Sequence, residues 1–224
     1  MKTKLISLML GLSLAVPALS QPNVKPNSLE ATGCMKLREC TEKISRVKNV
    51  KQLKQHFSIH WDLSVEQEQE IIALLDRLYA SDVDVYLADH EYFVIGNRGL
   101  YYTDVNKMFL NEFHMYSVDT FLNVLRHEGW HAAQDCMAGT IDNSFIAVIH
   151  NDNVIPQEYK LKANVRYGLL QPQSIPWEQE AIWAGSQQYM TADALNACAA
   201  GSMWMEYEPT PMTREWLVKN NYIK

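Results

Sequence analysis

Residues 126–131 read RHEGWH, with two histidines four residues apart and a glutamate directly after the first. For the two imidazoles to act together, the backbone beneath them has to be an α-helix. At 3.6 residues per turn, a helix sets positions i and i+4 on one face, one turn above the other. The flanking sequence meets that demand. Ser117 or Asp119 can cap the start, Phe121, Leu122, Val124 and Leu125 supply an apolar face, and Gly139 is a natural stop. A helix of about five turns is predicted here.

The rest of the chain is organised around that helix. From Cys34, the apolar residues Leu37, Cys40, Ile44 and Val47 recur at helical spacing, which predicts a first helix. Ser64 with Gln67 forms a capping box ahead of Ile71, Ile72, Leu74, Leu75, Leu78 and Tyr79, predicting a buried helix over about 65–80. Residues 82–113 are rich in β-branched and aromatic side chains and are interrupted by Gly96-Asn97-Arg98-Gly99; they read as a few antiparallel strands joined by tight turns. Residues 141–176 are mixed. A helix over about 177–200 follows Pro176, and Thr213 offers a cap for a short last one. The expected fold class is α+β, mostly helical, with a small antiparallel or mixed sheet preceding the motif helix.

The chemistry of the motif follows from its spacing. His127 and His131 can both direct a ring nitrogen at one ion about 2.0–2.1 Å away, the distance zinc takes. Glu128, about 100° round the helix, then lies beside the ion, placed to take a proton from a water bound to it. In a chain with seven histidines, such a motif is expected about 0.015 times by chance. His56 and His60 repeat the spacing in HFSIH, but with Phe57 in the glutamate position, and read as incidental. His90 and His114 are isolated. His150 is a weak candidate for polarising a substrate carbonyl. A catalytic zinc takes three protein ligands and keeps one position open. Six residues beyond His131 stands Met137, so the third ligand comes from elsewhere. Glu178 and Glu180, in the first turn of the later helix, are the candidates. Ala181, Ala184 and Gly185 would let that helix approach closely enough for a glutamate to reach the ion.

With HEGWH on one helix and EQEA (178–181) on a later one, the chain resembles the gluzincin group of zinc metallopeptidases, and EQEA resembles the Glu-x-Glu-Ala-Asp stretch of its bacterial periplasmic members. The resemblance implies a zincin-like fold, peptide-bond hydrolysis and one catalytic Zn2+. It makes His127, His131 and Glu178 the ligands, with Glu180 as the alternative, and Glu128 the general base. Where the family often has an aspartate supporting a zinc histidine, this chain has Ile182. The resemblance further implies an edge strand within 92–113 that binds extended substrate backbone.

The compartment is read from the two ends of the argument. Lys2 and Lys4, the apolar run Leu5–Val16, Pro17 and the small residues Ala18 and Ser20 mark residues 1–20 as a cleavable signal peptide, too short to span a bilayer. Export to a periplasm or to the medium is expected, with no membrane anchor after cleavage. Residues 21–63 then form an N-terminal segment with one helix, and 64–224 the catalytic domain. Cleavage removes two lysines and no acid, taking the net charge from −6 to −8, which argues against a nucleic-acid partner and says little about substrate; the peptide or protein substrate expected here is what the resemblance implies. Four cysteines in an exported chain read as disulfides. Of three possible connectivities, Cys34–Cys40 and Cys136–Cys198 are favoured, the first for proximity and the second for tying two later helices. Two other functions stay open at this level: a non-enzymatic binding module or inactive peptidase homologue on the same scaffold, and metal-dependent hydrolysis of cell-wall amides.

Overall fold

The computed structural model describes residues 24–139 and 146–207. The signal-peptide region and the C-terminal residues around Thr213 lie outside them. The chain is a mixed α/β structure: α1 (Leu29–Leu37), β1 (Ile44–Arg46), α2 (Val50–His56), α3 (Val65–Ala80), β2 (Asp84–Ala88), β3 (Gly99–Tyr102), β4 (Lys107–Asn111), α4 (Val118–Ala138), α5 (Gln157–Tyr167), α6 (Ile175–Ser186), α7 (Met190–Ala199) and α8 (Met203–Glu206). Among the described residues, four strands form one sheet in the order β1-β2-β4-β3.

That sheet is mixed rather than antiparallel throughout. β1 runs antiparallel to β2 and β3 antiparallel to β4, but β2 and β4 are parallel, in register from Asp84 with Lys107 to Ala88 with Asn111. Parallel strands are generally covered on both faces, and here both are. Val85, Leu87, Met108 and Leu110 face the main core with α3 and α4, while Tyr86, Ala88 and Phe109 face a second cluster built on Ala31, Cys34 and Met35 of α1. The hairpin partner β3 stays at the sheet's edge, beside α4.

The expected helices appear with their capping chemistry. Ser64 accepts from the Gln67 amide and Gln67 returns the bond, so α3 starts on a complete capping box. Ser117, rather than Asp119, caps α4, and Gly139 ends it in the left-handed conformation at φ 85°. Two sequence expectations are corrected. The first helix begins at Leu29, capped by Ser28, and stops at Arg38; Ile44 lies in β1, paired with Ala88, because strand pairing outweighed a weak helical period. The described residues before 64 thus hold two short helices and a strand. The second correction concerns 177–200, which is two helices. The chain breaks at 187–189, where Tyr189 takes φ 67° and its amide lies 3.4 Å from Glu70 Oε1. The break lets α6 and α7 pack separately against α4.

Both favoured disulfides are present, Cys34–Cys40 and Cys136–Cys198. The second joins α4 to α7 across 62 residues, a loop whose closure is worth about 4 kcal/mol in the chain-entropy account. Arg126, just ahead of the histidines, makes a two-pronged bond to buried Glu70 of α3 at 2.7 and 2.6 Å, fixing the angle between these helices. Trp130 is fully buried.

Candidate metal centre

α4 sets the imidazoles of His127 and His131 side by side, with ring centroids 4.9 Å apart. Glu178 reaches them from the first turn of α6. Its Oε2 is 3.4 Å from His127 Nε2 and its Oε1 is 3.8 Å from His131 Nε2. One ligand atom from each of the three residues lies within 4.8 Å of the others. In a tetrahedral zinc shell with bonds near 2.1 Å, neighbouring donor atoms are roughly 3.4 Å apart. The three side chains therefore fit a single small cation. A second observation agrees: Glu178 Oε2 is buried and has no hydrogen-bond partner, an orphan that a cation would satisfy. Burial pushes the Glu178 carboxyl up, but the two histidines and a hydrogen bond from the Tyr167 hydroxyl outweigh it and hold it at about 2. The group is thus a carboxylate, as a metal ligand has to be.

Small residues make this approach possible. Ala181 and Ala184 are fully buried, and a Cβ on Gly185 would sit 2.9 Å from the Asn123 carbonyl and 3.3 Å from His127 Cβ. α6 therefore lies directly on the turn of α4 that carries His127. Asn123 adds a side-chain bond of 2.9 Å to the Gly185 carbonyl.

Glu180, the alternative ligand, is turned away from the histidines. Its buried carboxylate accepts from Gln134 Nε2 at 2.6 Å, from the Ile149 amide at 3.1 Å and from the His150 amide. Burial raises this carboxyl to about 7 against the pull of those donors. Gln134 in turn orders the site. Its amide nitrogen is engaged by Glu180 and by the Trp177 carbonyl at 3.2 Å, so its Oε1 faces His131 Nδ1, at 2.8 Å. That bond requires Nδ1 to carry the proton and leaves the Nε2 lone pair for the site. With isoleucine at position 182, the side-chain partner of His131 comes from α4 itself, three residues past it. The i, i+3 spacing could have revealed it.

Glu128 is 6% exposed and packed against β3. A Cβ on Gly99 would come within 2.7 Å of its carboxylate, so glycine here makes the room the glutamate occupies. Burial raises the Glu128 carboxyl to about 7. The charges of His131 and Arg166 and a bond from the Tyr101 amide act in the opposite direction, and Glu178 reinforces the rise. The motif glutamate is thus held between the motif helix and the edge strand.

These groups open into one cleft of about 470 Å3, walled by β3 and its preceding loop on one side and by α5 on the other. His127, Glu128, His131, Glu178 and Tyr167 line it. Burial holds the Tyr167 phenol far above its ordinary value, so it remains a donor. His150 is not among the lining residues. Its ring stacks on Trp130 at 5.6 Å and packs against Trp183 at 5.4 Å, and burial lowers its pKa. Of the HFSIH pair, His56 binds Glu112 at 2.8 Å and His60 packs on Tyr116, so the two do not converge. Tyr101, Tyr167 and Gln134 carried no motif in the sequence.

Tyr101 is also anchored from below. Its hydroxyl lies 2.6 Å from Asp135 Oδ2 and 2.5 Å from Asn106 Oδ1, tying β3 to α4. Burial pushes the Asp135 carboxyl up to about 7, with the Tyr101 hydroxyl acting the other way. The folded state therefore favours the protonated acid. Its contribution is fully present below the unfolded value, near 4, and is lost as pH rises through about 7. Asp135→Asn is expected to remove this pH dependence, which is on the order of 4 kcal/mol in all and about 3 kcal/mol of it between about pH 5 and about pH 8. Urea unfolding at about pH 5 and about pH 8 should show a smaller difference for the variant than for the parent; equal differences would refute the assignment.

Compared with protein-family models, with curated proteins and with solved structures, the chain has no match in any of the three.

Proposed function

We propose that the chain is an exported zinc-dependent peptidase of the His-Glu-x-x-His type. The observation that carries the reading is the convergence of His127, His131 and Glu178 around one point, with the buried carboxylate of Glu128 beside it in an open cleft. A zinc ion held by the three side chains would supply a water of lowered pKa and polarisation of the substrate carbonyl. The residues of the chain do the rest. Glu128 accepts the proton of the attacking water and returns it to the leaving amine, its carboxyl lying in the cleft beside the three candidate ligands. Gln134 holds His131 in the tautomer that presents Nε2, while Tyr167 steadies Glu178. β3, at the free edge of the sheet along the cleft, offers backbone groups to an extended peptide.

Two disulfides fit an oxidising, exported location, and no helix among the described residues is long and apolar enough to cross a membrane. Periplasmic or secreted placement accords with these facts and with the signal-like N-terminus.

Metal analysis of protein purified without chelators is the direct test. It should find about one zinc per chain, and hydrolysis of a mixed peptide substrate should cease with chelator and return with zinc. Protein that neither contains nor takes up zinc would overturn the reading. Hydrolysis of peptidoglycan amides in place of peptides would redirect it to the cell wall.

A further inference from the structure

The cleft's charge is opposite to that of the chain. The protein carries a net −6, yet Arg98, Lys162 and Arg166 line this one opening. Lys162 and Arg166 are four residues apart on α5 and so lie on one helix face. Arg98 stands on the opposite wall, at the entrance to β3. Arg166 Nη2 is 3.4 Å from the Gly96 carbonyl, so its guanidinium spans from α5 to the loop before β3. Aromatic faces brace both helix cations: Lys162 Nζ is 4.7 Å from the Tyr159 ring centre and Arg166 Cζ is 5.5 Å from that of Tyr167.

None of the three has an ion-pair partner among the described residues. Lys160 on the same helix makes the contrast, bound to Asp152 at 2.6 Å outside the cleft. Among the described residues, the carboxylates that line the cleft are Glu128 and Glu178, both largely buried at its floor and both placed at the candidate metal centre. A neutral peptide entering here would cover Arg98 and Lys162 without offering a counter-charge and leave Arg166 only the buried Glu128, and a basic peptide would meet like charge three times. A carboxylate would complete them with charge-assisted hydrogen bonds and be drawn in by the local positive field.

From this we infer that Arg98, Lys162 and Arg166 select substrates that present a carboxylate at the mouth of the cleft, next to the bond being cut. This rests on the peptidase reading and names its substrate class. The carboxylate has two sources, an acidic side chain within the peptide or the free C-terminus, and the two are separable.

The test uses the zinc-loaded Glu128→Gln protein, which retains the cleft, and measures binding of four labelled peptides by fluorescence anisotropy. The first is neutral with an amidated C-terminus, the second amidated with internal glutamates, the third neutral with a free C-terminus, and the fourth amidated with internal lysines. At about 50 mM salt, a carboxylate-bearing peptide should bind about tenfold more tightly than the neutral amide, and the advantage should shrink towards about 500 mM. Preference for the second peptide identifies acidic side chains, and preference for the third identifies the C-terminus. Lys162→Glu/Arg166→Glu, both at exposed positions, should abolish the advantage and favour the lysine peptide. Equal binding of all four would overturn the inference, and wild-type cleavage of the neutral peptide would then leave the peptidase reading intact. Selective binding with no peptide cleaved by the zinc-loaded wild type would keep the carboxylate site and remove the peptidase.

Discussion

Glu128→Gln should retain the metal and lose peptide hydrolysis by about 100- to 10,000-fold, the range a positioned acid–base group contributes. Glutamine keeps the volume that Gly99 accommodates and can still accept from the Tyr101 amide, so the packing between β3 and α4 should persist. What it cannot do is take a proton. The variant should therefore match the parent in zinc content and in unfolding midpoint, with kcat/KM alone collapsing. Hydrolysis within a few-fold of wild type would remove Glu128 from the chemistry. Loss of zinc along with activity would show instead that the carboxylate is needed to hold the ion.

The second large effect separates the two glutamates of EQEA. Glu178→Gln removes the charge from the one carboxylate that faces both histidines, and zinc affinity should fall by more than about 100-fold, beyond what outer partners usually contribute. Glu180→Gln leaves the three ligand atoms in place. It disturbs the Gln134 amide that orients His131, so its affinity should fall only about 10- to 100-fold, and its thermal midpoint should fall as the clamp on residues 149 and 150 weakens. Competition with a chromophoric chelator gives both affinities. A reversed order would make Glu180 the ligand and require α6 to rotate.

Much of this centre was legible before the fold was known, and the reason is local. His127, Glu128 and His131 lie within five residues on a helix whose cap, apolar face and glycine stop are all in the sequence. α3 was legible for the same reason, through Ser64 and Gln67. The pairing of Cys136 with Cys198 and the close approach at Gly185 could be anticipated because small residues and cysteines have few other uses in such places. What remained hidden depends on contacts distant in sequence. The parallel pairing of β2 with β4 is set by burial on both faces, which alternation cannot express. The break at Tyr189 follows from its neighbours in space, among them Glu70, well over a hundred residues earlier. Neither Tyr167 nor Tyr101 carries a spacing signal, since each meets the site from another element. Between Glu178 and Glu180 the sequence left a choice, and the direction of α6 against α4 places Glu178 beside the histidines.

Two of the three candidate donors sit on α4 and the third on α6, so an ion held here would be gripped by two separate helices. α4 alone would present only His127 and His131, a two-armed grip weaker than the full set of three. The third arm would close only where the face of α6 that Gly185 keeps bare rests on α4 at Asn123 and His127. Tight metal retention would then depend on the docking of α6, and a chain with α6 undocked would exchange any bound ion with a competing chelator around it.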